Sequence, residues 1–256
     1  MPCARWRTGD ADRPARRNIA IMADIIGELE AQGRCLFVNP LPAIGYTMDT
    51  HEPHNAFLRM DAVVDGDNPR VRWVAEQLTR DDPVATAERC FTFVRDEIQH
   101  SVDFAREGIP ISASAVLDTG SALCFGKSHL LVALWRACGL PSGFCYQRLR
   151  LDGADFDRHA THGLAAVWLP RFGWYRCDAR GNTKPGVECL FTPGTESLAF
   201  TPVHEGERDY PDVWAQPWPQ VLGDLLGLTK LSQYLARPID AAPPTADHLR
   251  ERTRAA

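Results

Sequence analysis

A chain of 256 residues, 45% hydrophobic and 24% charged, is long enough to bury one sizeable core and has the composition of an ordinary globular protein. Its net charge of -5 argues against a general phosphate-binding surface, and so against a nucleic-acid partner. The longest apolar run inside the domain, Leu130 to Trp135, is far short of a membrane span, so no membrane partner is expected.

The eight cysteines contain no Cys-x-x-Cys pair, which argues against structural zinc. With no export signal in view they read as thiols in a reducing, cytoplasmic compartment. Residues 1–35 read as a basic tail, carrying Arg5, Arg7, Arg13, Arg16 and Arg17, and a short segment of uncertain structure; Met22 is an alternative start. An apolar run from Cys35 to Asn39 meets a loop marked by Pro40, Pro42 and Gly45. His51 and His54, beside Pro53 and Asn55, read as loop rather than metal ligands. Val71 to Thr79 fits one short helix. Ala85 to His100 fits a clearer one, with Ala87, Cys90, Phe91, Val94 and Ile98 at helical spacing and Asp82 or Pro83 to start it.

The stretch Thr119 to Gly143 carries the strongest helix signal. Ser121 is the expected N-cap, Leu130, Leu131, Leu134, Ala137 and Cys138 form an apolar stripe, and Gly139 with Pro141 stops it. The period then changes. Phe144 to Leu151, Gly163 to Leu169 and Phe172 to Asp178 read as strands, the last two joined through Pro170-Arg171 as a hairpin. Helices followed by an antiparallel sheet predict an α+β fold. Beyond a Pro/Trp-rich stretch from Tyr210 to Pro219, Gln220 to Leu235 reads as one helix before a disordered tail. The expected division is a tail over 1–35, a domain over 36–215, and a C-terminal helix and tail over 216–256.

The chemistry gathers on three residues. Cys124 falls in the first turns of its helix, where backbone N–H groups are unpartnered and a thiolate is stabilised. His162 and Asp178 each lie eight residues from Pro170, so a hairpin folding there puts them opposite each other or one diagonal step apart. That spacing suits a base oriented by an acid. Asp178 also precedes Ala-Arg-Gly-Asn and so suits an Asx turn, a role that can coexist with the first. Cys90 and Cys138 fall on apolar helix faces and read as core. Cys145, Cys177 and Cys189 lie in or near strands without a base at useful spacing. His159 reads as part of the polar loop Asp152 to Arg158, and His129 lies off the Cys124 face. Trp168, Trp174 and Tyr175 fit either a cleft or the core. Lys127 and Arg180 fit packing or pairing near the site.

The ordered segments "GSALCFGKSHLLVALWRACGLPSGFCYQRL" and "THGLAAVWLPRFGWYRCDARGN" resemble the transglutaminase-like superfamily, whose cysteine-nucleophile core is related to papain-type folds. The resemblance runs over 83–200. It implies Cys124 as nucleophile, His162 as acid and base, and Asp178 as the orienting carboxylate. Two features depart from the family pattern: no tryptophan stands between Val74 and Cys124 to donate to an oxyanion, which leaves Gln99 or His100, and "CFGKSH" is an uncommon wording after the nucleophile. The implied reaction is acyl transfer at an amide of a protein or peptide, ending on water (peptidase or amidase) or on a lysine amine (transglutaminase). No cofactor and no calcium are expected. A catalytically silent binding protein on the same fold and a thioester-dependent N-acyltransferase are the alternatives. The pattern leaves the oligomeric state open.

Overall fold

The computed structural model describes residues 54–151, 158–244 and 252–254. The basic tail, the Cys35–Asn39 run, His51 and most of the 152–158 loop lie outside the described residues.

After a 3-10 turn at Asn55–Leu58, two helices start with a capping side chain followed by proline at the first helical position, where its missing N–H costs nothing. In α1 (Pro69–Leu78) Asn68 accepts from the Arg70 N–H at 3.0 Å. In α2 (Pro83–Glu97) Asp82 accepts from Ala85 at 3.1 Å. The helix expected to run to His100 stops at Glu97. Gln99 and His100 instead form a two-residue strand, β1, paired in parallel with β2 (Ser121–Ala122). Between them lies α3 (Ala113–Thr119), closed by Gly120 at φ +65°.

This small pairing corrects the expected cap. Gly120 C=O and Ala122 C=O accept from Gln99 and Ser101, so Ser121 is held in a strand and cannot cap the helix. Helix α4 (Cys124–Ala137) therefore begins at Cys124 itself, with Leu123 before it and no side-chain cap. Its end follows expectation: Gly139 at φ +77° lets the Leu140 N–H reach Trp135 C=O and the Gly139 N–H reach Arg136 C=O, both at 2.9 Å. The apolar stripe understates its burial. Every residue from Cys124 to Arg136 is buried, because α1, α2 and α3 pack on one side of it and β3 and β4 on the other. Arg136 survives there by donating to three carbonyls: Ser142, Ala215 and Arg59.

The sheet has five antiparallel strands in the order β5-β4-β3-β6-β7, spanning β3 (Ser142–Arg150), β4 (His159–Leu169), β5 (Gly173–Cys177), β6 (Arg208–Trp214) and β7 (Arg252–Arg254). Phe57, Leu164, Ala166, Trp174 and Val213 share one buried cluster on it. Strand β6 begins just before, and runs into, the segment read only as Pro/Trp-rich. The single helix expected over Gln220–Leu235 is two, α5 (Pro219–Leu226) and α6 (Leu231–Ala236), broken at Gly227. Among the described residues no helix is long and apolar enough to cross a membrane.

Candidate active site

The hairpin brings its two polar residues together. Leu169 pairs with Gly173 and Ala165 with Cys177, so the register continued past Cys177 sets Asp178 beside Leu164, one diagonal step from His162. His162 Nε2 meets Asp178 Oδ2 at 2.7 Å. Asp178 is 1% exposed and accepts from two backbone amides as well, Arg180 at 3.0 Å on Oδ1 and Ala199 at 3.2 Å on Oδ2. It is thus both the Asx-turn residue and the partner of the imidazole. Phe200 sets its ring edge-on to the His162 ring, centroids 5.2 Å apart, and helps to cover the pair.

Cys124 arrives from the other side. Its sulfur accepts from the Gly163 N–H at 3.5 Å and lies near enough to His162 to favour a charge on the ring. With Nε2 on Asp178, the ring nitrogen left for sulfur is Nδ1. Two glycines let the first turn of α4 sit close to its neighbours, Gly163 on the hairpin side and Gly126 on the side of Ala122 and Pro110. A Cβ on Gly163 would lie 2.8 Å from the Phe125 ring, and one on Gly126 would lie 2.8 Å from both Ala122 Cβ and Pro110 C=O. The first turn of α4 therefore rests directly on the backbone of β4.

Electrostatics favour a charged pair. Burial works to keep His162 neutral, but the Asp178 carboxylate and the Cys124 sulfur outweigh it and raise its pKa to about 10. Asp178 moves in the matching direction: burial opposes its charge, and His162 with the two amides overcomes that and lowers its pKa. Both partners therefore point to imidazolium and carboxylate at neutral pH.

Lys127 sits one turn into α4 with Nζ donating to the Arg95 carbonyl at 3.3 Å and to Ile98 C=O, tying α4 to the end of α2. Burial brings its pKa down to about 7, although Asp178 lies near enough to oppose that. Asp103 bonds Arg180 and Thr183. His100, carried by β1, is buried with Nδ1 3.9 Å from Asp103, and burial together with Arg180 pushes its pKa down to about 3. Gln99 is held by Arg106 at 2.8 Å.

The remaining candidates are brought to no such grouping. Cys90, Cys138, Cys145, Cys177 and Cys189 are buried; burial pushes the Cys145 and Cys177 thiols up and takes Cys189 to about 12. His129 is fully enclosed against Ile111 C=O at 2.7 Å, and burial lowers its pKa to about 4. His159 is the first residue of β4, opposite Arg150, and not part of the loop. Trp174 and Tyr175 are core residues. Trp168 is six residues from His162 along β4, about 20 Å at strand rise, and packs on His54 at 4.9 Å.

A helix opened by cysteine, laid on an antiparallel hairpin that supplies histidine and aspartate, defines a papain-like α+β arrangement. Residues 72–179 match the profile of the transglutaminase-like superfamily. No curated protein sequence matches the chain. Among solved structures it is similar to a candidate cysteine protease from Cytophaga hutchinsonii (14% identity, 52% of this chain and 44% of that one, TM-score 0.39). It is also similar to the periplasmic domain of TgpA from Pseudomonas aeruginosa (20% identity, 51% and 48%, TM-score 0.37). A third likeness is to a structure described as a TGase (13% identity, 64% and 39%, TM-score 0.33). The chain spans less than half the length of each of them.

Proposed function

We propose that the protein is a cysteine-nucleophile enzyme that transfers acyl groups from amides through a thioester on Cys124. The observation that carries this reading is the convergence on one crevice of the Cys124 sulfur, His162 and Asp178, with the 2.7 Å His162–Asp178 bond orienting the ring. Cys124 thiolate attacks the amide carbonyl. The oxyanion that forms is held by first-turn N–H groups of α4, which have no intrahelical acceptor. His162 gives its Nδ1 proton to the departing amine as the C–N bond breaks, leaving a thioester and a neutral imidazole. That imidazole then takes the proton of water or of an incoming amine, and the acyl group leaves the sulfur. Asp178 orients the ring throughout and stabilises its positive charge whenever it is protonated. Protein or peptide amides are the substrates on this reading, and no cofactor enters any step.

The test compares wild type with Cys124→Ala in a lysate, reading amide hydrolysis and amine incorporation by mass spectrometry. Products that vanish in Cys124→Ala support the enzyme. The same products from both proteins, or none from either, would leave a silent binding protein. Acylation of Cys124 by a thioester without amide cleavage would point to an N-acyltransferase.

A further inference from the structure

The edge of β4 next to the thiol is occupied by the chain's own C-terminal segment. Strand β5 pairs with β4 only over Ala165–Leu169, so from His159 to Leu164 that edge faces no strand among the described residues. Two amides there, Thr161 and Gly163, are two residues apart and so point the same way. Gly163 donates to the Cys124 sulfur, and Thr161 donates to Ile239 C=O at 2.7 Å. One strand step, about 7 Å, therefore separates the segment's backbone from the nucleophile's contact.

The segment is fastened on both sides of the crevice. The Leu231 N–H reaches Glu107 C=O at 2.9 Å, on the helical side. On the sheet side Ala241 donates to Thr161 Oγ1 at 2.7 Å, and Asp240 takes both arms of Arg148 at 2.7 and 2.6 Å. Between these fastenings α6 carries Tyr234, half-buried, and burial raises the phenol's pKa. Beneath the segment Cys124 and His162 are each only 6% exposed.

We propose that Leu231–Ala241 is an internal occupant of the substrate groove, and that the site takes an extended polypeptide along the free edge of β4 when this segment lifts away. The inference rests on Cys124 being the nucleophile. The Thr161 N–H that now holds Ile239 is the donor a substrate backbone takes over, as in strand addition. A small amide lacks the length to use it.

The test follows alkylation of Cys124 in the full chain, mapped by peptide mass. Access to a covered thiol scales with the population of the open form. Tyr234→Ala removes a packed aromatic and should speed alkylation at least about tenfold, and Asp240→Ala, which breaks a half-exposed ion pair, about threefold. Cys145 and Cys177 must stay protected, as proof that the fold is intact. Unchanged rates in folded variants would overturn the proposal. Should Tyr234→Ala expose all the thiols, hydrogen exchange on wild type decides: the Thr161 and Leu231 amides should exchange together and ahead of β3, whereas exchange only with global unfolding would refute the lifting segment. A chloromethyl ketone on an extended peptide should label Asp240→Ala faster than one on a single amino acid, and equal rates would refute the groove assignment. None of these readouts needs turnover, so a failure of the catalytic reading shows separately, as labelling without amide chemistry.

Discussion

Asp178→Asn isolates the carboxylate's charge at nearly constant volume. In the wild type burial opposes the positive charge on His162, yet its pKa stands at about 10 against an ordinary 6.5, with Asp178 the largest favourable influence. That rise of roughly 3.5 units corresponds to about 5 kcal/mol in favour of the imidazolium. Asp178 and the Cys124 sulfur together supply more than this, because they also offset the opposing burial. Both His162 and Asp178 are buried, so solvent screens the pair little. The amide can still accept from Arg180 and Ala199, but it cannot hold the charged ring as the carboxylate does. His162 should then titrate near or below 6.5, and kcat/KM should fall by roughly 10²–10⁴. The assay is an NMR titration of labelled histidine beside a pH–rate profile. A wild-type His162 that titrates near 6.5, or one whose titration is unchanged in the variant, would refute the reasoning.

Three other outcomes follow from the same contacts. Gly163→Ala should cost about 1–3 kcal/mol in urea denaturation, because its Cβ meets the Phe125 ring at 2.8 Å, and Phe125→Leu should recover part of it; a fully stable Gly163→Ala would contradict the close seating of α4 on β4. The His129 pKa lies below its unfolded value, at about 4, so its contribution is whole above pH 6.5 and shrinks as pH falls toward 4. His129→Gln should flatten that acid limb by about 2 kcal/mol between pH 7 and 5, and an unaltered limb would refute it. In alkali two groups oppose each other. The raised His162 stabilises fully below 6.5 and loses this as pH rises through about 10, whereas the depressed Lys127 favours folding increasingly as pH rises from about 7 to 10.5. Lys127→Met should therefore make stability fall more steeply over pH 7–10, and an unchanged slope would refute the burial argument.

Much of the site was legible because hairpin register is arithmetic: equal spacing about one turn brings His162 and Asp178 within a diagonal step whatever surrounds them. The helix carrying Cys124 was legible from its Gly139 stop. Its start was not, because Ser121 suits a cap by local chemistry, and only the pairing of residues 99–100 with 121–122, more than twenty positions apart, takes it into a strand. The full burial of α4 escaped for a related reason. Lys127, Ser128, His129 and Arg136 are polar side chains with no local signal of burial, yet carbonyls from Ile98, Cys124, Ile111 and Ser142 satisfy them inside. Strand β6 was hidden by Pro211, which demotes a strand in any local reading although β6 pairs with both β3 and β7 here. Gly126 and Gly163 carried a signal that could have been used, since a glycine one or two positions after His162 and Cys124 implies close backbone approach. Phe200 and Ala199, which cover the histidine and bind the aspartate, lie in a loop with no local pattern to mark them.

The most direct measurement is the intact mass of the protein quenched in acid during turnover of a peptide amide. An acyl adduct mapped to the peptide containing Cys124, absent in Cys124→Ala and accumulating more slowly in His162→Ala, is the expected result. Amide turnover by Cys124→Ala at the wild-type rate, or an adduct on another thiol, would contradict it.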